Sequence, residues 1–251
     1  MKHSYLLLLV CIGLVAEIAG CGPPLEERKR RAESQFDIGA AELNRGRFPE
    51  AFEALQKARD LYPDDPRFSN ALGLIALHQR QYHKAIEEFM TALELDPDFT
   101  EAHNNLGTTY AQLKKWDEAI YEFRLTLSDP FYRTPELAHY NLGLALIEKG
   151  EVIEAVKELR SAIEIRPDFI QAVDKHGVAL FRLNRIQEAV KQFNRVLELD
   201  PTYMESRLNL GLAYMKQGKT AEAIEQFKII LEQSTDEGLK ESAQRYLEIL
   251  E

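Results

Sequence analysis

The chain has 251 residues, of which 45% are hydrophobic and 29% charged, with 41 acidic against 31 basic side chains and a formal net charge of −10. A nucleic-acid module is typically basic, with Lys and Arg gathered on one face, so this balance argues against nucleic acid as a partner. The length would permit two ordinary domains, but a repeat period described below makes most of the chain one continuous array.

Lys2 precedes an apolar run from Tyr5 to Val15, and Ile18, Ala19, Gly20 and Cys21 follow. A basic start, a short apolar core and small residues before a cleavage point predict a secretory signal peptide over residues 1–20. A membrane-spanning helix needs roughly 20 apolar residues, and Glu17 interrupts this run. The Ile-Ala-Gly-Cys sequence resembles the bacterial lipobox, which implies that Cys21 becomes the lipidated first residue of the mature chain. Cys11 would be lost with the leader, leaving a single acylated cysteine and no disulfide. Gly22 rather than aspartate follows Cys21, which in similar lipoproteins implies sorting to the outer membrane. Residues 21–31 are read as a short tether. Its Arg28, Lys29, Arg30 and Arg31 suit either anionic lipid headgroups or a solvated helix start facing Glu26, Glu27 and Glu33.

From residue 32 a helical hairpin repeats. In residues 66–99, Leu72 and Gly73 lie in a nearly all-apolar segment, Ala85, Ile86, Phe89, Ala92 and Leu93 form one stripe of a second, and Pro97 closes the unit. Glycine recurs at 39, 73, 107, 143, 177 and 211, and alanine at 51, 85, 119, 155, 189 and 223. A mid-helix glycine costs about 1 kcal/mol relative to alanine, so the register calls for a physical reason. Close approach of the two helices, allowed by glycine in the first and alanine in the second, supplies one. The units are 32–65, 66–99, 100–135, 136–169, 170–203 and 204–237. The third is longer than the rest, with Pro130 and Pro135 in its closing turn, and His176 stands in the fifth where leucine is usual. Residues 238–251 carry Leu239, Ala243, Tyr246, Leu247 and Leu250 on one face and read as a capping helix.

Chemistry for catalysis is missing from the pattern. The histidines after the leader, 78, 83, 103, 139 and 176, include no i,i+4 pair and no HExxH motif. No phosphate-binding glycine loop is present, Glu87, Glu88 and Glu118 fall on outward faces, and Trp116 occupies a register filled elsewhere by Phe48, Tyr82, Val152 and Ile186. A non-enzymatic binding scaffold without cofactor or metal is expected.

The 34-residue spacing, with Leu-Gly, Ala, Phe, Ala and a closing Pro, resembles the tetratricopeptide repeat family over residues 32 to about 237. The resemblance implies an all-α solenoid, a right-handed superhelix of six helix-turn-helix repeats ending in the capping helix. It also implies a concave peptide-binding groove lined by the fifth, ninth and twelfth positions of each first helix. In repeat one these are Phe36, Ala40 and Leu43, in repeat two Asn70, Leu74 and Leu77, and in repeat three Asn104, Thr108 and Ala111. Repeat four gives Tyr140, Leu144 and Ile147, repeat five Asp174, Val178 and Phe181, and repeat six Leu208, Leu212 and Met215. The carboxylate clamp of chaperone-binding members is missing, because the ninth positions are Ala, Leu, Thr, Leu, Val and Leu. An apolar or amphipathic peptide, anchored by Asn70 and Asn104, fits better.

The lipobox, six repeats, and the residues Asp129, Pro130, Phe131, Tyr132 and Pro135, followed by Asn141 and Gly143, resemble the type IV pilus biogenesis lipoproteins of the PilF/PilW type. That resemblance implies a monomeric pilotin, anchored by lipid in the outer membrane and facing the periplasm, which binds the secretin subunit or a peptide segment of it. Cysteines common in repeats three and four of that family are missing here. Two other readings stay open: another lipid-anchored adaptor for cell-wall or outer-membrane assembly, and an enzyme subunit completed by its partner.

Overall fold

A computed structural model describes residues 23–250; the leader, Cys21, Gly22 and Glu251 lie outside the described residues. Among the described residues there are thirteen α-helices and no strands. They are α1 (Leu25–Asn44), α2 (Phe48–Leu61), α3 (Pro66–His78), α4 (Tyr82–Leu95), α5 (Thr100–Gln112), α6 (Trp116–Ser128) and α7 (Pro135–Lys149). The second half continues with α8 (Val152–Ile165), α9 (Ile170–Arg182), α10 (Ile186–Leu199), α11 (Met204–Lys216), α12 (Thr220–Gln233) and α13 (Glu237–Leu250). The part of the expected tether from Leu25 to Arg31 is helical, forming the first turns of α1.

Consecutive helices pack as antiparallel hairpins. Each odd-numbered helix also packs its backbone close to the next odd-numbered one, whereas successive even-numbered helices stand farther apart and meet only through long side chains, as in Arg59 to Glu88 at 2.7 Å and Arg124 to Glu154 at 2.6 Å. The odd helices therefore form the tighter inner wall of a curved array and the even ones its outer wall.

The core runs along the hairpin interior. Ala51, Ala85, Ala119, Ala155, Ala189 and Ala223 are wholly buried, as are Phe89, Phe193 and Phe227. The glycine register meets a different partner from the one expected. A Cβ at Gly73 would stand 2.6 Å from the Phe89 ring, one at Gly143 2.7 Å from Leu159, and one at Gly107 2.9 Å from Phe123. Glycine thus makes room for the bulky side chain sixteen positions on.

Every turn within a hairpin uses one residue with left-handed backbone: Gly46, Gly150 and Gly218 at φ 73°, 93° and 73°, and Arg80, Lys114 and Asn184 at φ 58°, 58° and 59°. The next amide closes the helix end in each case, as in Glu151 N–H to Leu146 O at 2.8 Å and Lys115 N–H to Tyr110 O at 2.9 Å, a Schellman arrangement. The turns after α4 and α10 are closed by aspartate: the Asp96 and Asp200 carboxylates accept the amides of Asp98 and Thr202 at 3.1 and 2.8 Å.

Candidate peptide-binding groove

The fifth, ninth and twelfth positions all lie on the odd helices, hence on the inner wall. Most of them are half-buried, which leaves part of each side chain accessible from the concave side. Two are not. Ile147 is 4% exposed and belongs to the central core cluster, so its place in the expected groove is withdrawn: a twelfth-position side chain there fills space between hairpins. Asp174 is 0% exposed, with one carboxylate oxygen 3.0 Å from Lys175 Nζ and the other without a hydrogen-bond partner.

Several fifth-position side chains are already engaged by neighbouring repeats. Phe36 packs against Phe68 at 5.4 Å between ring centroids, with the Arg67 guanidinium 4.9 Å over its ring. Arg67 is itself gripped by Asp65 and Glu33, each at 2.6 Å, and these two acceptors push its pKa above the ordinary value. Tyr140 packs on Phe169 at 4.9 Å. The Asn70 side-chain oxygen accepts from Asn105 Nδ2 at 2.9 Å. Asn70 thus joins repeat two to repeat three rather than standing free as an anchor. Asn104 differs: its side-chain oxygen is buried with no partner, while its backbone carbonyl accepts from the Thr108 hydroxyl at 2.9 Å. Burial raises the phenol pKa values of Tyr140 and Tyr203, and the Asp174 carboxylate raises them further.

The inner wall opens into a cavity of about 310 Å³ between repeats three and four, lined by Thr108, Ala111, Gln112, Trp116, Phe123, Asn141, Leu144, Ala145 and Glu148. Ala111, Trp116, Phe123, Leu144 and Ala145 supply apolar surface. Thr108, Gln112, Asn141 and Glu148 supply polar groups. A cavity near the lower end of the ligand-pocket range with this lining suits one bulky apolar side chain of a bound segment. It brings together Thr108, Ala111 and Leu144 of the expected set. Phe36, Ala40, Leu43, Asn70, Leu74, Leu77 and Tyr140 lie outside it.

Trp116 and Asn141 were not among the expected groove residues. Trp116 packs on the core, as its register implies, and its remaining surface walls the cavity. Its position just after the three-residue turn, beside the end of α5, was the signal that could have placed it there. Among the described residues no cluster of His, Cys, Asp and Glu could hold a metal ion, and no helix is long and apolar enough to cross a membrane.

Tetratricopeptide repeat family models match residues 25–66, 36–98 and 70–133, then 137–169, 177–218 and 205–235. No curated protein matches the sequence. Among solved structures, PilF of Pseudomonas aeruginosa superposes with a TM-score of 0.76 at 17% identity, covering 88% of this chain and 98% of its own. PilW, described as a widely conserved type IV pilus biogenesis factor, gives 0.73 at 20% identity, covering 86% and 98%. YrrB, described as a TPR protein with an unusual peptide-binding site, gives 0.68 at 23% identity, covering 77% and 99%. At these identities the likeness establishes the fold.

Proposed function

Because the chain belongs to the tetratricopeptide repeat family, we propose that it is a non-enzymatic, protein-binding scaffold of type IV pilus biogenesis: a pilotin that promotes localisation and assembly of the outer-membrane secretin. The observation that carries this reading is extent. The match takes in 88% and 86% of this chain together with 98% of PilF and of PilW, so the likeness runs over nearly the whole of both proteins. The cavity at Trp116 and Leu144 supports it by offering a secretin segment an apolar socket with polar groups around it. On this reading Cys21 carries the lipid, the array faces the periplasm beside the outer membrane, and the chain works as a monomer.

Deletion of the gene in a cell with a type IV pilus secretin should leave the secretin monomeric or misplaced. Wild type should restore its multimers. Cys21→Ser should leave the outer-membrane fraction, and Leu144→Glu should reach that membrane, retain its helical circular dichroism, and fail to restore multimers. Normal secretin multimers in the deletion strain would overturn the pilotin reading and favour an adaptor for cell-wall or outer-membrane assembly.

A further inference from the structure

The connection between α6 and α7, residues 129–134, has six residues where the other hairpin-to-hairpin connections among the described residues have three or four. It carries Phe131, which at 89% exposure is the most exposed large apolar side chain among the described residues. The loop is built to present that ring. One Asp129 carboxylate oxygen accepts the Phe131 amide at 2.8 Å and the other accepts the Thr100 hydroxyl at 2.7 Å, tying the loop to the start of α5. Pro130 precedes Phe131 and limits the backbone, and half-buried Tyr132 anchors the following residue.

Beside this loop lies a cavity of about 610 Å³ whose walls include Pro97, Asp98, His103, Tyr121, Leu125 and Asp129. Tyr121 is 61% exposed and stands on α6, and this cavity shares no lining residue with the one at Trp116 and Leu144, so the two surfaces are separate. The surroundings are acidic. Asp98 and Asp129 wall the cavity, and the Thr100 hydroxyl and then the Phe131 amide hold the Asp129 carboxyl below its ordinary range. Glu101 and Glu136 lie close enough to help raise the Tyr132 phenol, after burial. Arg133 is the loop's one base.

We propose that this side of the third repeat is a second docking surface, on which Phe131 and Tyr121 receive a partner-protein segment that combines bulky apolar with basic side chains. Aromatic side chains left in water are poor candidates for chance exposure when the loop's own hydrogen bonds hold one of them outward, and aromatic anchors dominate protein interfaces. Charge selects the partner. Carboxylates around the rings favour lysine or arginine opposite them, whereas a second copy of this chain, with net charge −10, would bring like charge to the contact. The inference does not depend on the pilotin reading.

The test uses the full chain in detergent and a fluorescent leucine–lysine peptide as probe, followed by anisotropy at low salt, with a leucine–glutamate peptide as the charge-reversed control. Wild type should bind the first and not the second. Phe131→Ser and Tyr121→Ser should each weaken binding about tenfold or more, while Ile153→Ser, an exposed apolar residue on α8, should leave it unchanged. Circular dichroism should report full helicity for all three variants. No binding by wild type, equal binding of the two peptides, or undiminished binding by the Phe131 and Tyr121 variants would overturn the proposal. So would sedimentation of the chain alone showing a dimer that Phe131→Ser abolishes, since the occupant would then be a second copy. Failure of the pilotin reading would instead be read in secretin multimers, which this assay does not involve.

Discussion

A Cβ added at Gly177 would stand 2.6 Å from the Phe193 ring, whereas one added at Gly150 would meet nothing within 4 Å. The first glycine is required by packing, the second by backbone conformation, since an L-residue in the left-handed region is disfavoured by about 1–2 kcal/mol. The period of 34 exposed the packing register at once, because all six of its positions are glycine. It did not expose the turn register, where glycine holds only three of the six positions and Arg80, Lys114 and Asn184 hold the others. The partner of the packing glycines was misread for a related reason: alanine shares their period, and so does the Phe or Leu that meets them. The turn register gives a prediction of opposite signs. Gly150→Ala should lower stability by about 1 kcal/mol without any steric clash, and Lys114→Gly should raise it by up to about 1 kcal/mol. Thermal melts of the two variants on either side of wild type would establish this, and a Lys114→Gly variant less stable than wild type would refute it.

At the scale of helix pairs, polar side chains nineteen residues apart pin first helix to second. His103 Nδ1 lies 2.6 Å from Glu122, His139 Nδ1 2.7 Å from Glu158, and Arg207 donates to Gln226 at 3.1 Å. None of these pairs was legible in the sequence, because a spacing of nineteen is contact only once the hairpin has closed. The charged form of His103 is favoured: the Glu122 carboxylate, against the opposing effect of burial, and then the Pro97 carbonyl raise its pKa. His176 is the reverse. It fills the leucine register in α9, neither ring nitrogen has a hydrogen-bond partner of full geometry, though Gln192 is beside it, and burial takes its pKa from 6.5 to about 4. The signs follow by linkage. The stabilisation from His103, whose folded pKa is raised, is fully present below 6.5 and is lost as pH rises through the folded value. His176 is folded in the neutral form, so stability falls as pH drops from 6.5 towards 4, by about 3 kcal/mol across that window. Denaturant unfolding from pH 4 to 9 should show His176→Leu relieving the acid side, and the deficit of His103→Gln shrinking on the alkaline side. Parallel curves for wild type and both variants would remove these two groups from the account.

At the scale of the whole molecule, the period supplied the hairpins, their order and the closing helix, but the curvature came from which helices touch. The inner wall of odd helices could be listed by position; the use of each side chain could not, since Asn70 and Phe36 are engaged by adjacent repeats and Ile147 is core. Every hairpin after the first buries its seventh position, as at Leu72, Leu106, Leu142 and Leu210. The first hairpin has no described neighbour before it, and Ile38, in that same register, is 48% exposed. The other end is covered. Ala243 and Leu247 of α13 are buried with Phe227 and Ile230 of α12, and Tyr246 stacks on Phe227 at 5.4 Å. A chain ending at residue 233 would uncover the α13-facing side of those two α12 side chains, each at a cost below the value of about 1.5–3 kcal/mol for a large apolar group fully exposed, since Phe227 keeps its contact with Gly211. In a linear array that loss falls on the last repeat first. The truncated chain should therefore melt with an early step confined to α11 and α12, seen as fast amide exchange there while α5 to α8 stay protected, and should self-associate in sedimentation. Ile38→Lys should produce neither effect, because its side chain is already half in water. Unaltered exchange in α11 and α12 after removal of α13 would mean that the terminal hairpin is stable uncovered and that α13 serves something other than its closure.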